Sequence, residues 1–90
     1  MNREPFTIVH RTSVEKDLRR IPARVVARVL DLIEGLAREP FPRGSVKLSG
    51  AEGLYRARVG DYRVVYGVDT EARVLTIHYV RHRREVYRGM

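Results

Sequence analysis

The residues best placed to do chemistry in this chain are three arginines in the strand-like run from Leu54 to Val68, where a hairpin gathers them on one face. Gly60-Asp61 reads as a two-residue turn, with glycine supplying the positive φ that other residues resist. Counting back from it pairs Val59 with Tyr62, Arg58 with Arg63, Ala57 with Val64 and Arg56 with Val65, and residues directly opposite share a face. Arg56, Arg58 and Arg63 are therefore expected together. Like charges opposite one another cost a sheet roughly 0.2–1 kcal/mol, and a polyanionic ligand explains why they are tolerated. The tail from Val80 adds Arg81, His82, Arg83, Arg84, Tyr87 and Arg88. Basic residues interleaved with an aromatic suit phosphates plus an unpaired base, although a solvated basic tail has the same composition.

The elements that must position these residues follow from periodicity. Pro5 to His10 is a short β-branched and aromatic run, read as a first strand. Thr12 with Glu15 has the spacing of a capping box, and Val14, Leu18 and Ile21 follow at helical intervals, so a first helix is expected over about residues 13 to 20. Pro22 suits the first turn of a second helix that ends before Pro40. In it Val25, Val29, Leu32 and Leu36 form an apolar stripe that Val26, Leu30, Ile33 and Ala37 widen. Arg24, Arg28, Asp31, Glu34 and Arg38 make its solvated side. Residues 40 to 44 form a loop by their proline and glycine content, and Ser45 to Leu48 begins the sheet region.

Residues 54 to 59, 62 to 68 and 73 to 81 read as three antiparallel strands. Tyr62, Val64, Tyr66 and Val68 face the helices, and a four-residue loop from Asp69 to Ala72 brings Leu75, Ile77 and Tyr79 to the same face. His78 then falls opposite Arg63, a placement that a one-residue slip would reverse. The expected fold class is α+β, a βααβββ domain with two N-terminal helices on one face of a small antiparallel sheet and the other face open to a ligand.

Ninety residues make a single domain, 1–90, with one modest core. A net charge of +7 and a sequence pI near 10.5 point to a polyanionic partner. Nucleic acid fits best, because the basic residues are nearly all arginine, whose planar fork matches phosphate; lysine occurs only at positions 16 and 47. The apolar stretches are short and broken by charge, and the N-terminus lacks a signal-peptide core, so no membrane role and a cytoplasmic location are expected. There is no cysteine, and the three histidines show no metal-ligand spacing, so neither a metal nor another cofactor is expected.

The order Lys47-Leu-Ser-Gly50, Tyr55-Arg-Ala-Arg58, Gly60-Asp-Tyr-Arg-Val-Val-Tyr66 and Val80-Arg-His-Arg-Arg-Glu-Val-Tyr87 resembles the RelE/ParE toxin superfamily, specifically its RelE branch, over the whole chain. The resemblance implies a small toxin of a toxin–antitoxin pair that cleaves mRNA in the ribosomal A site and is inhibited by a cognate antitoxin. It assigns catalytic positions to Arg56, Arg58, Arg63, Arg83 and Tyr87. Lys47, His78, Arg81, His82 and Arg84 are then candidates for RNA binding. Two departures stand out: Arg56 and Arg58 occupy positions where such toxins often carry lysine, and Arg81 replaces a usual glycine.

The implied reaction is metal-free attack of a 2′-hydroxyl on the adjacent phosphorus. Fixed cations stabilise the phosphoryl charge, one such donor typically being worth about 2.7–4 kcal/mol. Arginine cannot take the 2′-proton. The acceptor is left open among Tyr87, His82 and His78. Two rival readings remain: a ParE-like toxin that inhibits DNA gyrase, and a non-catalytic RNA-binding relative.

Overall fold

The computed structural model describes residues 4–50 and 52–84. Strand β1 (Thr7–His10) leads directly into helix α1 (Thr12–Arg19) and then α2 (Ala23–Arg38). Strands β2 (Val46–Lys47), β3 (Leu54–Val59), β4 (Tyr62–Asp69) and β5 (Val74–His82) follow. The sheet has five strands in the order β1-β5-β4-β3-β2. The α+β class and helix-covered sheet are as expected, with two differences. The run Ser45–Leu48 does form a strand, though only two residues long, and β1 joins β5 in parallel, with Thr7 beside Val74 and His10 beside Ile77. The helices carry the chain from β1 to β2 at the opposite edge of the sheet, and the antiparallel run β2 to β5 then brings β5 back beside β1 in the same direction.

The expected capping box does not form. Arg11 is the N-cap residue and has no side-chain cap bond. Its N–H still donates to the Ile77 carbonyl in the sheet (3.0 Å), while its own carbonyl accepts the Val14 N–H (2.9 Å). The chain passes from strand to helix at one residue, so Thr12 is already helical. The second helix starts one residue later than expected: Pro22 is its N-cap, with a non-helical ψ of 141°, rather than part of its first turn, and its carbonyl accepts the N–H groups of Val25 and Val26 at 2.9 and 3.0 Å. It stops at Glu39, whose non-helical φ of −136° and ψ of 88° suit the residue before Pro40.

Val29 and Leu36 are fully buried and mark the centre of the α2 stripe. Leu30 is 49% exposed. At roughly 100° per residue it lies at the far edge of that stripe, which is therefore narrower than the sequence implied. The core joins Val14, Ile21, Val29 and Leu36 to Val64, Tyr66, Leu75, Ile77 and Val80, each large apolar side chain contributing about 1.5–3 kcal/mol on burial. Two polar contacts tie the layers. Asp17 Oδ2 accepts the Val80 N–H (3.0 Å), joining α1 to β5, and the buried Tyr66 hydroxyl donates to the Pro40 carbonyl (2.8 Å). Burial pushes the Tyr66 phenol pKa up, an effect partly offset by a hydrogen bond with Ser45.

The last strand departs from simple alternation. Tyr66 pairs with Ile77 but Val65 pairs with Tyr79, so His78 is an extra residue in a β-bulge. Leu75 and Ile77 face the helices as expected. Beyond the bulge Val80 takes the core position and Tyr79 moves to the open face. The loop is residues 70–73 rather than 69–72, because Asp69 pairs with Val74 and Val68 with Leu75 rather than Arg73. This two-residue shift together with the bulge corrects the placement of Tyr79 in the core and of His78 opposite Arg63: Arg81 is the residue opposite Arg63.

Candidate nucleic-acid interface

The Gly60-Asp61 turn fixes the site. Gly60 has φ of +57°, and Asp61 is not among the residues of positive φ, the combination of a type II′ turn whose twist matches its flanking strands. The hairpin register is the expected one, with Arg58 opposite Arg63 and Arg56 opposite Val65. Across the next strand Arg63 also opposes Arg81. Arg58, Arg63 and Arg81 therefore form one row across β3, β4 and β5, and Arg56, Val65 and Tyr79 form the row beside it. The Arg81 guanidinium lies 4.5 Å over the Tyr79 ring, a contact that offsets some of the repulsion within the row.

Arg63 is the unusual member. It is only 7% exposed, and its Nη1 is buried with no hydrogen-bond partner among the described residues. A buried, unsatisfied charged donor is costly, on the order of 1–3 kcal/mol or more. It faces a hollow of about 410 Å³ that Arg43, Arg56 and Arg58 also line. The arrangement provides a dense, partly desolvated positive field with one donor held rigid for an incoming anion.

The tail residues divide. The Arg83 N–H donates to the Asp61 carbonyl (2.8 Å), which anchors Arg83 beside the hairpin turn. Its Nε stands 4.0 Å from the Asp61 carboxylate with both side chains well exposed, a contact worth little in solvent. The Arg84 N–H donates to His82 Nδ1 at 3.3 Å, and Arg84 is exposed. Tyr87 lies outside the described residues.

Three candidates are not brought to the arginine rows. His82 pairs with Tyr62 and meets its ring edge-on at 5.4 Å. It therefore lies on the helix side, in a hollow with Asp17 and Arg20. Lys47 pairs with Tyr55, on the face opposite Arg56, and sits at the sheet edge near Ser49 and Glu52. His78 does lie on the open face, but over Gly67: a Cβ added to that glycine would stand 3.1 Å from His78 Nε2. Gly67 is four residues from Arg63, roughly 13 Å along the strand. Burial, and then the charge of Arg11, whose Nη1 is 3.4 Å from His78 Nδ1, lower the His78 pKa.

Sequence reasoning missed three residues. Arg43 lines the arginine hollow from the turn Pro42–Ser45, which is closed by the Ser45 N–H to Pro42 carbonyl bond (3.0 Å) and has Gly44 at φ +95°. The Pro-Arg-Gly-Ser order was its available signal, since positive φ at the third position is what a type II turn requires. Tyr79 was hidden by the bulge. Arg28, assigned to the solvated side of α2, reaches the hairpin turn: its Nη1 would lie 3.8 Å from a Cβ at Gly60.

Comparison with known proteins agrees with this geometry. A family model described as the ParE toxin of type II toxin–antitoxin systems, parDE, matches residues 8–87. The chain is 35% identical to toxin RelG of Mycobacterium tuberculosis over 85 residues, covering 93% of this chain and 98% of the relative. It is 32% identical to toxin RelE of the same organism, covering 93% of this chain and 88% of the relative. A crystal structure of the archaeal RelE–RelB complex from Pyrococcus horikoshii contains a chain 34% identical to this one. The two superpose with a TM-score of 0.79 over 88% of this chain and 96% of that chain. The fold, the arginine hairpin and these relatives together show that this chain belongs to the RelE/ParE family of type II toxins, as a RelE-type toxin of a toxin–antitoxin pair.

Proposed function

We propose that this chain is a ribosome-dependent mRNA endoribonuclease that cuts A-site mRNA and so inhibits translation. The single observation that carries the reading is the buried Arg63 guanidinium, with Nη1 unpaired among the described residues, in a row with Arg58 and Arg81. Stable charge at fixed positions is what phosphoryl transfer needs, because negative charge grows on the phosphoryl oxygens as the transition state forms.

In the proposed step the 2′-oxygen bonds to the neighbouring phosphorus as its proton passes to a base. The bond from phosphorus to the 5′-oxygen breaks, and that oxygen leaves with a proton. The products are a 2′,3′-cyclic phosphate and a 5′-hydroxyl. Arg56, Arg58 and Arg63 hold the phosphoryl oxygens, with Arg83 beside the turn to stabilise the leaving oxygen. Arginine cannot serve as the base. His82 faces the helices and His78 stands far along the sheet, so the proposed acceptor is Tyr87, which the family resemblance assigns to the site. The ribosome supplies the in-line geometry of the strand.

A cognate antitoxin, acidic or amphipathic, covers the basic face and holds the toxin inactive. The RelE chain from Pyrococcus horikoshii is seen in complex with RelB, which supports such a partner. Among the described residues no helix is long and apolar enough to cross a membrane, in keeping with action on cytoplasmic ribosomes.

The ParE description of the matching family model keeps gyrase inhibition as the second reading. One experiment separates them. In reconstituted translation, the toxin is expected to cut mRNA in the A site and leave a cyclic phosphate end. Intact mRNA together with blocked DNA supercoiling would overturn the nuclease reading in favour of gyrase.

A further inference from the structure

The arginine hollow extends beyond the open face. Strand β2 pairs with Tyr55 and Arg56, so among the described residues the outer edge of β3 has no strand beside it from Ala57 onward. The hollow occupies the place that a longer β2 would fill. It is lined by Arg43, Arg56, Arg58 and the buried Arg63 and also by Leu32, Pro42 and Val46, the last 44% exposed. A lone ion needs only the guanidinium groups. At about 410 Å³ the space is in the range that holds a small organic ligand, and one nucleotide offers both chemistries, charged phosphates with a flat sugar and base.

We propose that this hollow is a nucleotide subsite, in which Arg63 and Arg43 hold the two phosphates flanking one RNA residue while its sugar and base lie against Leu32, Pro42 and Val46. The proposal rests on the nuclease reading for the identity of the polyanion. A strand nucleotide brings two negative charges to several guanidinium groups, whereas a carboxylate of an acidic partner brings one. The Pro42–Ser45 turn brings the exposed Arg43 to the same hollow as Arg63, at the outer edge of β3, so the subsite takes a nucleotide presented at the sheet edge.

Binding of adenosine 3′,5′-bisphosphate and of inorganic phosphate to the whole protein, measured by calorimetry, tests this. The bisphosphate should bind at least tenfold more tightly than phosphate. Arg43→Ala and Arg43→Gln, in an exposed turn, should each weaken it about tenfold, with Lys16→Ala on α1 as the unchanged control. Equal affinity for the two ligands would overturn the subsite. So would unchanged bisphosphate binding by both Arg43 variants with weakened antitoxin capture, which would assign the hollow to the acidic partner. If the wild-type protein cuts ribosomal mRNA yet the Arg43 variants bind the bisphosphate normally, the subsite fails and the nuclease reading stands. If it binds the bisphosphate through Arg43 but cuts no mRNA, the nuclease reading fails and the subsite stands.

Discussion

Arg63 and Arg81 stand directly opposite each other on β4 and β5, so the Arg58–Arg63 pair read from the hairpin is part of a longer row. Repulsion along that row favours a bound anion. Millimolar phosphate should therefore raise the melting temperature above that in chloride of matched ionic strength. The stabilisation is about 2.7 kcal/mol when the anion is present at 100 times its Kd. Thermal melts in the two salts, repeated with Arg63→Met, check this. An increment that survives the substitution would show that phosphate acts elsewhere.

Replacing Arg63 by methionine should separate function from stability. The change removes a buried donor that has no partner among the described residues and keeps an apolar stem of similar length. Denaturant unfolding should show the variant no less stable, and by up to about 1–3 kcal/mol more so. Cleavage should fall on the order of 10²- to 10³-fold. A variant that loses stability would mean that Arg63 contributes to the fold.

Tyr66→Phe probes the fold alone. It removes the hydroxyl that donates to the Pro40 carbonyl inside the protein and should cost about 1–3 kcal/mol. Cleavage per folded molecule is expected to remain at the wild-type level. A selective loss of cleavage would tie the α2–β4 junction to the site.

The lowered pKa of His78 makes a pH prediction. In the unfolded chain the imidazole titrates near its ordinary value of about 6.5, so between the folded and unfolded values the unfolded state binds more protons. The stability contributed by the neutral imidazole is therefore present above about pH 6.5 and is lost as pH falls through that value toward the folded one. Unfolding measured from pH 8 to 5 should show this slope in the wild-type protein and less of it in His78→Asn. Identical slopes would remove His78 as its source.

How much of this was legible in the sequence depends on what set each register. A two-residue turn leaves no freedom, so the partners of Arg56, Arg58 and Arg63 across the β3–β4 hairpin could be counted back from Gly60. The partners of β5 could not, because Asp69 extends β4 and moves the loop to 70–73, and a bulge then adds a residue without any change of residue type to announce it. Tyr79 thus moved from core to open face and His82 to the helix side. Arg43 was illegible for another reason: a turn has no period, and its place beside Arg63 depends on how the 42–45 segment folds back against β3. Arg28 lay on a face whose polarity predicts solvent, and only the approach of the hairpin turn gives it a neighbour.

The bulge also means that β5 carries one residue more than its pairing uses. From Tyr79 to His82 the strand alternates open, core, open, core, and Ile77 before it is core. Omitting His78 would join these two segments in unbroken alternation. Loss of that one codon would therefore leave Tyr79 and Arg81 on the open face in their present places opposite Val65 and Arg63. Gain of a codon just after it would also restore alternation and keep both on the open face, but would slide them along β4 and put Tyr79 opposite Arg63. The arginine row keeps its register with a shorter strand here but not with a longer one.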